Sequence, residues 1–192
     1  MRHNVIDGIL EIFYHKNYEL LQEFSPKAGW NVIDIGSASG DFAVYTARKG
    51  AQVIAFEPER KNFEMAKKNA EVFGFTIIHK AVADWTGKTQ LQIRGPLSHT
   101  LIPQEGGRGF EDVDVVTLDD SITWDHIDLL KIDAEATELM ILKGGVKTIR
   151  RTHYIVMEPH HRSKELVTWL LNNGFAAKVI CDKIGNEYIC VI

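Results

Sequence analysis

Apolar residues fall into two kinds of run along the chain. Short runs are typical of strands, and longer stretches have the three-to-four-residue spacing of amphipathic helices. The run 31–35 is followed by the helical stretch 42–49, and the run 52–56 is followed by the helical stretch 60–73. Further strands are predicted at 75–79, 89–93, 112–118, 127–132, 152–157, 175–180 and 187–192. Strands and helices that alternate at these lengths are typical of a parallel sheet joined by right-handed crossovers.

The later part of the pattern completes an α/β architecture. Helices are predicted from Glu135 to Leu142 and from 164 to 171, and the last two strands form a hairpin. We therefore predict a Rossmann-like, three-layer αβα sandwich with a mostly parallel seven-stranded sheet and a C-terminal antiparallel hairpin. The 192 residues contain no repeat or internal linker, which favours a single domain. Residues 1–29 are predicted to be N-terminal helices packed on or capping the main domain, which spans 30–192.

Composition and charge narrow the class of partner. The net charge of −4 gives no basic surface of the kind that binds nucleic acid, so no nucleic-acid partner is expected. No apolar run approaches the ~18 residues needed to span a bilayer, so no membrane association is expected. The first residues lack the basic-then-apolar plan of a signal peptide. A cytoplasmic protein is therefore predicted.

Both cysteines lie in the predicted C-terminal hairpin. A two-residue turn at 185–186 would place Cys181 opposite Cys190. Two interpretations stay open: a pair of buried, reduced thiols, or a cross-strand disulfide. Two thiols alone do not favour a metal site.

The turn after the first strand carries the first chemical signal. It reads Asp34-x-Gly36-x-Ala38-x-Gly40, and small residues between a strand and a helix let the backbone approach a nucleoside closely. A dinucleotide fingerprint would need glycine at Ala38 and at Asp41, and a phosphate-binding loop would need a Gly-Lys-Ser/Thr element. The turn is instead similar to the D-x-G-x-G-x-G turn of class I S-adenosylmethionine-dependent methyltransferases.

Polar residues follow the carboxyl ends of most predicted strands. They are Asp34, Glu57, Asp84, Asp133, Glu135, Glu158 and His160. In an open α/β sheet the carboxyl edge of the strands is where ligands bind. A mostly acidic edge suits a sulfonium with an α-amino group and would repel a pyrophosphate.

Several motifs, taken in order, resemble the FkbM family of methyltransferases over roughly residues 30 to 160. They are Asp34-Ile35-Gly36 with Gly40, Phe56-Glu57-Pro58, Thr117-Leu118-Asp119-Asp120, Leu130-Lys131-Ile132-Asp133-Ala134-Glu135, Glu138-Leu139 with Leu142-Lys143-Gly144, and Met157-Glu158. The resemblance implies methylation of hydroxyl groups, often on sugars or natural products, with S-adenosylmethionine as cofactor. The chain departs from the family's usual Gly-Ala-Asn-x-Gly at Ala38, and from its usual Asp-x-Glu-Gly-x-Glu at Ala136.

The resemblance and the strand-end positions together suggest a role for each candidate residue. Asp34, with the turn residues Gly36, Ser37 and Gly40, would hold the methionine end of the cofactor, and Glu57, next to Pro58, would accept the ribose hydroxyls. Asp84 would accept the adenine amino group, or would merely form a turn before Gly87.

Three residues are candidates for the acceptor end of the site. Asp133, Glu135 and His160 would face the methyl acceptor, with one of them as general base. The alternatives are a helix cap for Asp133, a first-turn charge for Glu135 and a surface position for His160. No His-x-x-x-His or similar spacing is present, so no metal site is predicted.

The segment after the strand 127–132 bears on the acceptor. Enzymes of this fold that methylate amides or adenine amino groups usually carry an Asn/Asp-Pro-Pro-aromatic element there, whereas this chain has Asp133-Ala134-Glu135-Ala136. A hydroxyl on a small molecule or glycan is therefore the expected acceptor. Two alternatives remain: a non-catalytic nucleoside-binding or scaffold protein that retains the fold, and a nicotinamide-dependent oxidoreductase, which the glycine pattern contradicts.

Overall fold

The structure is a computed structural model, and it describes residues 18, 21–95, 99–103, 105–160, 162–182 and 185–192. Its strands and helices alternate over most of this range. They are β1 (Asn31–Ile35), α1 (Asp41–Arg48), β2 (Gln52–Phe56), α2 (Arg60–Phe73), β3 (Thr76–Ile78), β4 (Ala81–Ala83), β5 (Gly87–Ile93), β6 (His99–Thr100), β7 (Gly109–Thr117), α3 (Leu118–Ser121), β8 (Ile127–Ile132), α4 (Glu138–Gly144), α5 (Val146–Arg150), β9 (Thr152–Met157), α6 (Ser163–Asn172), β10 (Ala177–Cys181) and β11 (Glu187–Val191).

Within these described ranges the main sheet has seven strands in the order β10-β11-β9-β8-β1-β2-β3. Strands β9, β8, β1, β2 and β3 are parallel, and β11 and β10 add an antiparallel hairpin at one edge. Successive side chains of a strand point to opposite faces, so Val32 and Ile33 pack into two separate apolar cores. Helix α1 covers one core, and α4 and α6 cover the other. The predicted three-layer α/β fold is confirmed.

A second, four-stranded sheet in the order β4-β7-β5-β6 was not foreseen as a separate unit. The predicted extra strands do pair, since β5 and β7 run antiparallel from Gly87↔Val115 to Ile93↔Gly109. The short β4 pairs with β7 rather than with β3. This pairing turns the chain away from the main sheet directly after β3, and it decides where Asp84 lies.

The hairpin prediction placed Cys181 opposite Cys190, and that register is wrong. Cys181 pairs with Glu187, and Cys190 pairs with Lys178. The connection is longer than two residues because the Asp182 carboxylate accepts hydrogen bonds from the backbone N and the side-chain Nδ2 of Asn186, both at 2.9 Å. Both thiols are free, with Cys181 exposed and Cys190 buried.

The N-terminal helices predicted within residues 1–29 fall mostly outside the described residues. In the part that is described, a 3-10 turn spans Gln22–Phe24, and Phe24 is fully buried against the ring of Tyr154, with centroids 4.9 Å apart. Tyr18 is also buried, in the same core as Phe42. In the described part of the chain, no helix has both the length and the apolar character needed to cross a bilayer.

Candidate active site

A cleft of about 340 Å³ opens at the carboxyl edge of the main sheet, with the second sheet contributing to its wall. Small-molecule and cofactor sites usually occupy roughly 300–1,000 Å³. Seven of the ten residues predicted for the site line this cleft. They are Gly36, Ser37, Glu57, Pro58, Asp133, Glu135 and His160. Asp34, Gly40 and Asp84 do not belong to the lining.

The turn after β1 brings backbone close to backbone. Gly36 has φ 75°, and a Cβ there would lie 1.7 Å from the backbone oxygen of Asp133. Only glycine fits this left-handed position against the end of β8. Gly40, at φ 85°, precedes α1, and a Cβ there would lie 3.1 Å from the Phe75 ring, so it supports the turn from behind.

Ser37 offers an unused polar group to the cleft. Its side chain is buried, and among the described residues its Oγ has no hydrogen-bond partner. Such a hydroxyl normally finds a partner in the protein or in a ligand. Ser37 is therefore available to a molecule bound in the cleft.

Glu57 follows β2 and is 4% exposed, with both carboxylate oxygens engaged by backbone. Oε2 accepts from Ala38 N at 2.8 Å, and Oε1 accepts from Glu59 N at 2.9 Å. Burial raises the pKa of Glu57 to about 8, while these two backbone hydrogen bonds act in the opposite direction. Each oxygen retains acceptor capacity for a further donor from the cleft.

Asp84 is not brought to the cleft. It follows β4 in the second sheet and is exposed. The expectation that Asp84 receives adenine therefore finds no geometric support, because β4 pairs with β7 and directs its end away from the main sheet. The cleft wall on this side consists of Lys80, Ala81 and Val82, joined by Leu91 and Leu101.

Asp34 lies behind the cleft, fully buried, and holds Lys131. The two residues are direct neighbours in the β1–β8 register, and Lys131 Nζ is 3.0 Å from Asp34 Oδ1. Nζ also donates to the Gly36 carbonyl at 2.8 Å. Burial alone would lower the pKa of Lys131, but the charges of Asp34 and Asp133 raise it above its ordinary value. The buried ammonium thus ties the Gly36 turn to the end of β8.

The sequence predicted no role for Lys131, although this residue belongs to the family motif that spans residues 130–135. A lysine inside the apolar strand 127–132 is a signal, because a lysine is rarely buried unless its charge is paired. The strand 31–35 offers a single acid, Asp34, as its partner. Its Nζ also lies 5.3 Å from the centre of the Tyr18 ring. Tyr18 was missed as well, because no motif surrounds it.

Asp133 sits where β8 ends and receives a hydrogen bond from outside the sheet. The Tyr18 hydroxyl donates to Asp133 Oδ2 at 2.9 Å and lies 3.5 Å from Glu158 Oε2. Burial, together with the charges of Asp133 and Glu158, raises the pKa of Tyr18 well above its ordinary value, so the phenol stays protonated. Tyr18 thereby contributes its hydroxyl to the lining of the cleft.

His160 is surrounded by carboxylates. Its Nδ1 lies 2.8 Å from Glu138 Oε1, and its Nε2 lies 3.7 Å from both Asp133 Oδ1 and Glu135 Oε1. Burial alone would lower the pKa of His160, but the hydrogen bond to Glu138 and the charges of Asp133 and Glu135 raise it to about 10. The raised pKa favours the protonated imidazole at neutral pH, which suits His160 as a hydrogen-bond donor rather than as a general base.

The segment after β8 is not helical where a helix was predicted. Helix α4 begins at Glu138, not at Glu135, because Glu135 and Ala136 have φ 47° and 76°. His160 also has a positive φ, 38°.

Within the described part of the chain, no group of three or more His, Cys, Asp or Glu side chains could hold a metal ion.

The methyltransferase FkbM domain model matches residues 34–176. The chain belongs to the FkbM methyltransferase family. The predicted family is thereby confirmed. Over a short stretch of 44 residues, the chain is 46% identical to tRNA (uracil(54)-C(5))-methyltransferase of Pyrococcus furiosus. That stretch is 23% of this chain and 11% of the relative, so the chain spans about a ninth of that protein's length.

Solved structures show the same fold at low identity. Fibrillarin of Aeropyrum pernix, solved with bound S-adenosylmethionine, has a TM-score of 0.60 at 13% identity, covering 95% of this chain and 74% of that one. A methyltransferase of Aquifex aeolicus has a TM-score of 0.56 at 14% identity, covering 96% and 92%. The Pyrococcus abyssi tRNA (uracil-54, C5)-methyltransferase, with S-adenosylhomocysteine, has a TM-score of 0.54 at 14% identity, covering 97% and 38%.

The cleft of this FkbM-family chain suits the expected cofactor, S-adenosylmethionine. The unpartnered Ser37 hydroxyl, in the lining of the cleft, is available to a polar ligand beside the Gly36 turn. The Glu57 carboxylate matches a diol, and Val82, Leu91 and Leu101 supply apolar surface for a base.

Left-handed backbone explains why asparagine and glycine are usual at the two positions where this chain departs from the family motifs, and it places strain on the alanines found here. Ala38 has φ 49° and Ala136 has φ 76°, and asparagine or glycine adopts this conformation more readily than alanine does.

Replacing Ala136 by glycine is expected to raise the free energy of unfolding by about 1 kcal/mol, since relief of the left-handed strain exceeds the entropy cost of glycine. Urea unfolding of A136G measures it. In the matched change Ala47→Gly, within helix α1, the free energy should fall by about 1 kcal/mol; a fall for A136G would contradict the explanation.

Proposed function

We propose that this methyltransferase transfers the methyl group to a hydroxyl oxygen of a small molecule or sugar. The observation that carries the proposal is the position of the charged His160, with Nε2 3.7 Å from Asp133 Oδ1 and 3.7 Å from Glu135 Oε1. A hydroxyl both donates and accepts hydrogen bonds, so it fits between a cationic donor and two carboxylates.

The cofactor end of the cleft is assigned from its contacts. Glu57 would hold the ribose hydroxyls, with Pro58 beside it in the lining, and the Gly36–Gly40 turn with Ser37 would hold the methionine end. Asp34 acts from behind by holding Lys131 against the Gly36 carbonyl. Val82, Leu91 and Leu101 would supply the apolar surface for the adenine.

The reaction is an in-line displacement, for which alignment of the acceptor contributes most. When bound, S-adenosylmethionine supplies a methyl group activated by its sulfonium. Asp133 takes the hydroxyl proton: its backbone abuts the Gly36 turn, and Tyr18 fixes its Oδ2. His160 orients the acceptor oxygen, and Glu135 holds the acceptor beside it.

The ionisation of Glu57 predicts a pH dependence of nucleoside binding. The ribose hydroxyls donate to the ionised carboxylate, and its pKa of about 8 means that the protonated form prevails at lower pH. The association constant for adenosine, which lacks the titrating amine of the cofactor, should therefore rise about tenfold per pH unit from pH 6 toward 8 and level off above it. Calorimetry at four pH values tests this, and a constant affinity would contradict the assignment.

Release of S-adenosylhomocysteine tests the proposed reaction. The protein is incubated with S-adenosylmethionine and a panel of sugars and hydroxylated natural products, in parallel with transcribed tRNA. The proposal predicts release with members of the hydroxyl panel, and loss of that release in Asp133→Asn. Release with tRNA alone would contradict it.

A further inference from the structure

Glu138 forms a buried junction that the roles above do not use. Its side chain is fully buried in the first turn of α4. Oε1 accepts from Ala136 N at 3.0 Å and lies 2.8 Å from His160 Nδ1, while Oε2 is buried with no hydrogen-bond partner among the described residues. A carboxylate is rarely buried in this way unless its charge is paired.

The junction joins two loops that carry acceptor-end residues. The loop after β8 holds Glu135 and Ala136, and the loop after β9 holds His160, all three with positive φ. Non-glycine residues stay in such conformations only where the surroundings impose them. The bonds from Ala136 and His160 converge on one oxygen of Glu138, which supplies that constraint.

We propose that Glu138 is the positioning residue of the acceptor end: its buried charge keeps the imidazole of His160 doubly protonated, with Nδ1–H donated to Glu138 and Nε2–H directed between Asp133 and Glu135. The double protonation of His160 requires no acceptor, whereas its role toward the acceptor oxygen rests on the proposed function. A neutral imidazole would have a proton on one nitrogen only. If that proton stayed on Nδ1 for Glu138, Nε2 would have none to donate to an acceptor oxygen.

The groups that face His160 set the expected response to pH. Among the described residues they are Asp133 after β8, Glu135 in the following loop and Glu138 on α4. All three are acids, and all stabilise the cation. Without the charge of Glu138, fewer negative charges offset the free-energy cost of burying the His160 cation.

Glu138→Gln separates charge from shape, because glutamine keeps a carbonyl oxygen for Ala136 N and for Nδ1–H. The ring signals of His160 are followed by NMR from pH 5 to 10.5 in the wild type and in E138Q, and are identified by their absence in His160→Gln. The wild-type ring should stay protonated beyond pH 8. In E138Q its titration midpoint should fall by about 2 pH units.

A wild-type midpoint near that of free histidine, or an unchanged midpoint in E138Q, would overturn the proposal. Should E138Q fail to fold, the same change is made together with Ala136→Gly, which relieves the left-handed position. The titration needs no acceptor. If it behaves as expected while no hydroxyl compound is methylated, the proposed function alone fails.

Discussion

At pH 9, where the Glu57 carboxylate is ionised, replacing Glu57 by alanine is expected to weaken S-adenosylmethionine binding roughly 100-fold or more, since each lost hydrogen bond to a charged group contributes about 1.5–3 kcal/mol. The carboxylate would receive the ribose hydroxyls, and it also holds the turn through Ala38 N at 2.8 Å and Glu59 N at 2.9 Å. Both losses act in the same direction. Calorimetric titration measures the dissociation constant, and Glu71→Ala, an exposed acid on α2, is the matched control.

The ribose contribution can be separated from the loosened turn. Wild-type protein should bind adenosine more tightly than 2′,3′-dideoxyadenosine, and the difference should vanish in Glu57→Ala. If both proteins discriminate equally between the two nucleosides, Glu57 does not bind the ribose.

Asp133→Asn is expected to lower kcat by about 10²–10⁴-fold, the usual contribution of a positioned general base. Asparagine keeps the size of the side chain and an oxygen that can accept from Tyr18. The affinity for S-adenosylmethionine should therefore change little. Turnover is followed by release of S-adenosylhomocysteine with an acceptor found in the panel.

Glu135→Gln is the matched comparison for Asp133→Asn. Glu135 would hold the acceptor, so its loss should raise KM more than it lowers kcat. If Asp133→Asn keeps kcat within tenfold while Glu135→Gln abolishes turnover, the two roles are reversed.

Periodicity predicted the parallel core well. Strands β1, β2, β8 and β9 have the predicted ends, as does helix α2. Buried parallel strands are continuous apolar runs, and Gly74 ends α2 at φ 76°, so local signals suffice there.

The errors occurred where long-range pairing decides the outcome. The prediction that Asp84 lies just beyond the strand 75–79 did not foresee that β4 pairs with β7, far along the chain. The hairpin register failed because Asp182 and Asn186 close a longer loop. Helix α4 starts late because the buried Glu138 holds the preceding residues in a non-helical conformation.

The sequence predicted the location of the site better than the charge states and roles of its residues. Seven predicted residues line one cleft because parallel strands end at one edge. Charge states depend on neighbours brought together in space. The three acids that raise the pKa of His160 come from two segments, and the contacts of Lys131 and Tyr18 likewise join distant parts of the chain.

Carbon-13 NMR of the methylated product tests the central claim most directly. The protein is supplied with S-adenosylmethionine labelled in its methyl carbon and with a mixture of sugars, hydroxylated natural products and tRNA. A new O-methyl signal in the small-molecule fraction, absent with Asp133→Asn, is the predicted result. A methyl group attached to nitrogen or carbon, or found in the RNA, would contradict methylation of a small-molecule hydroxyl.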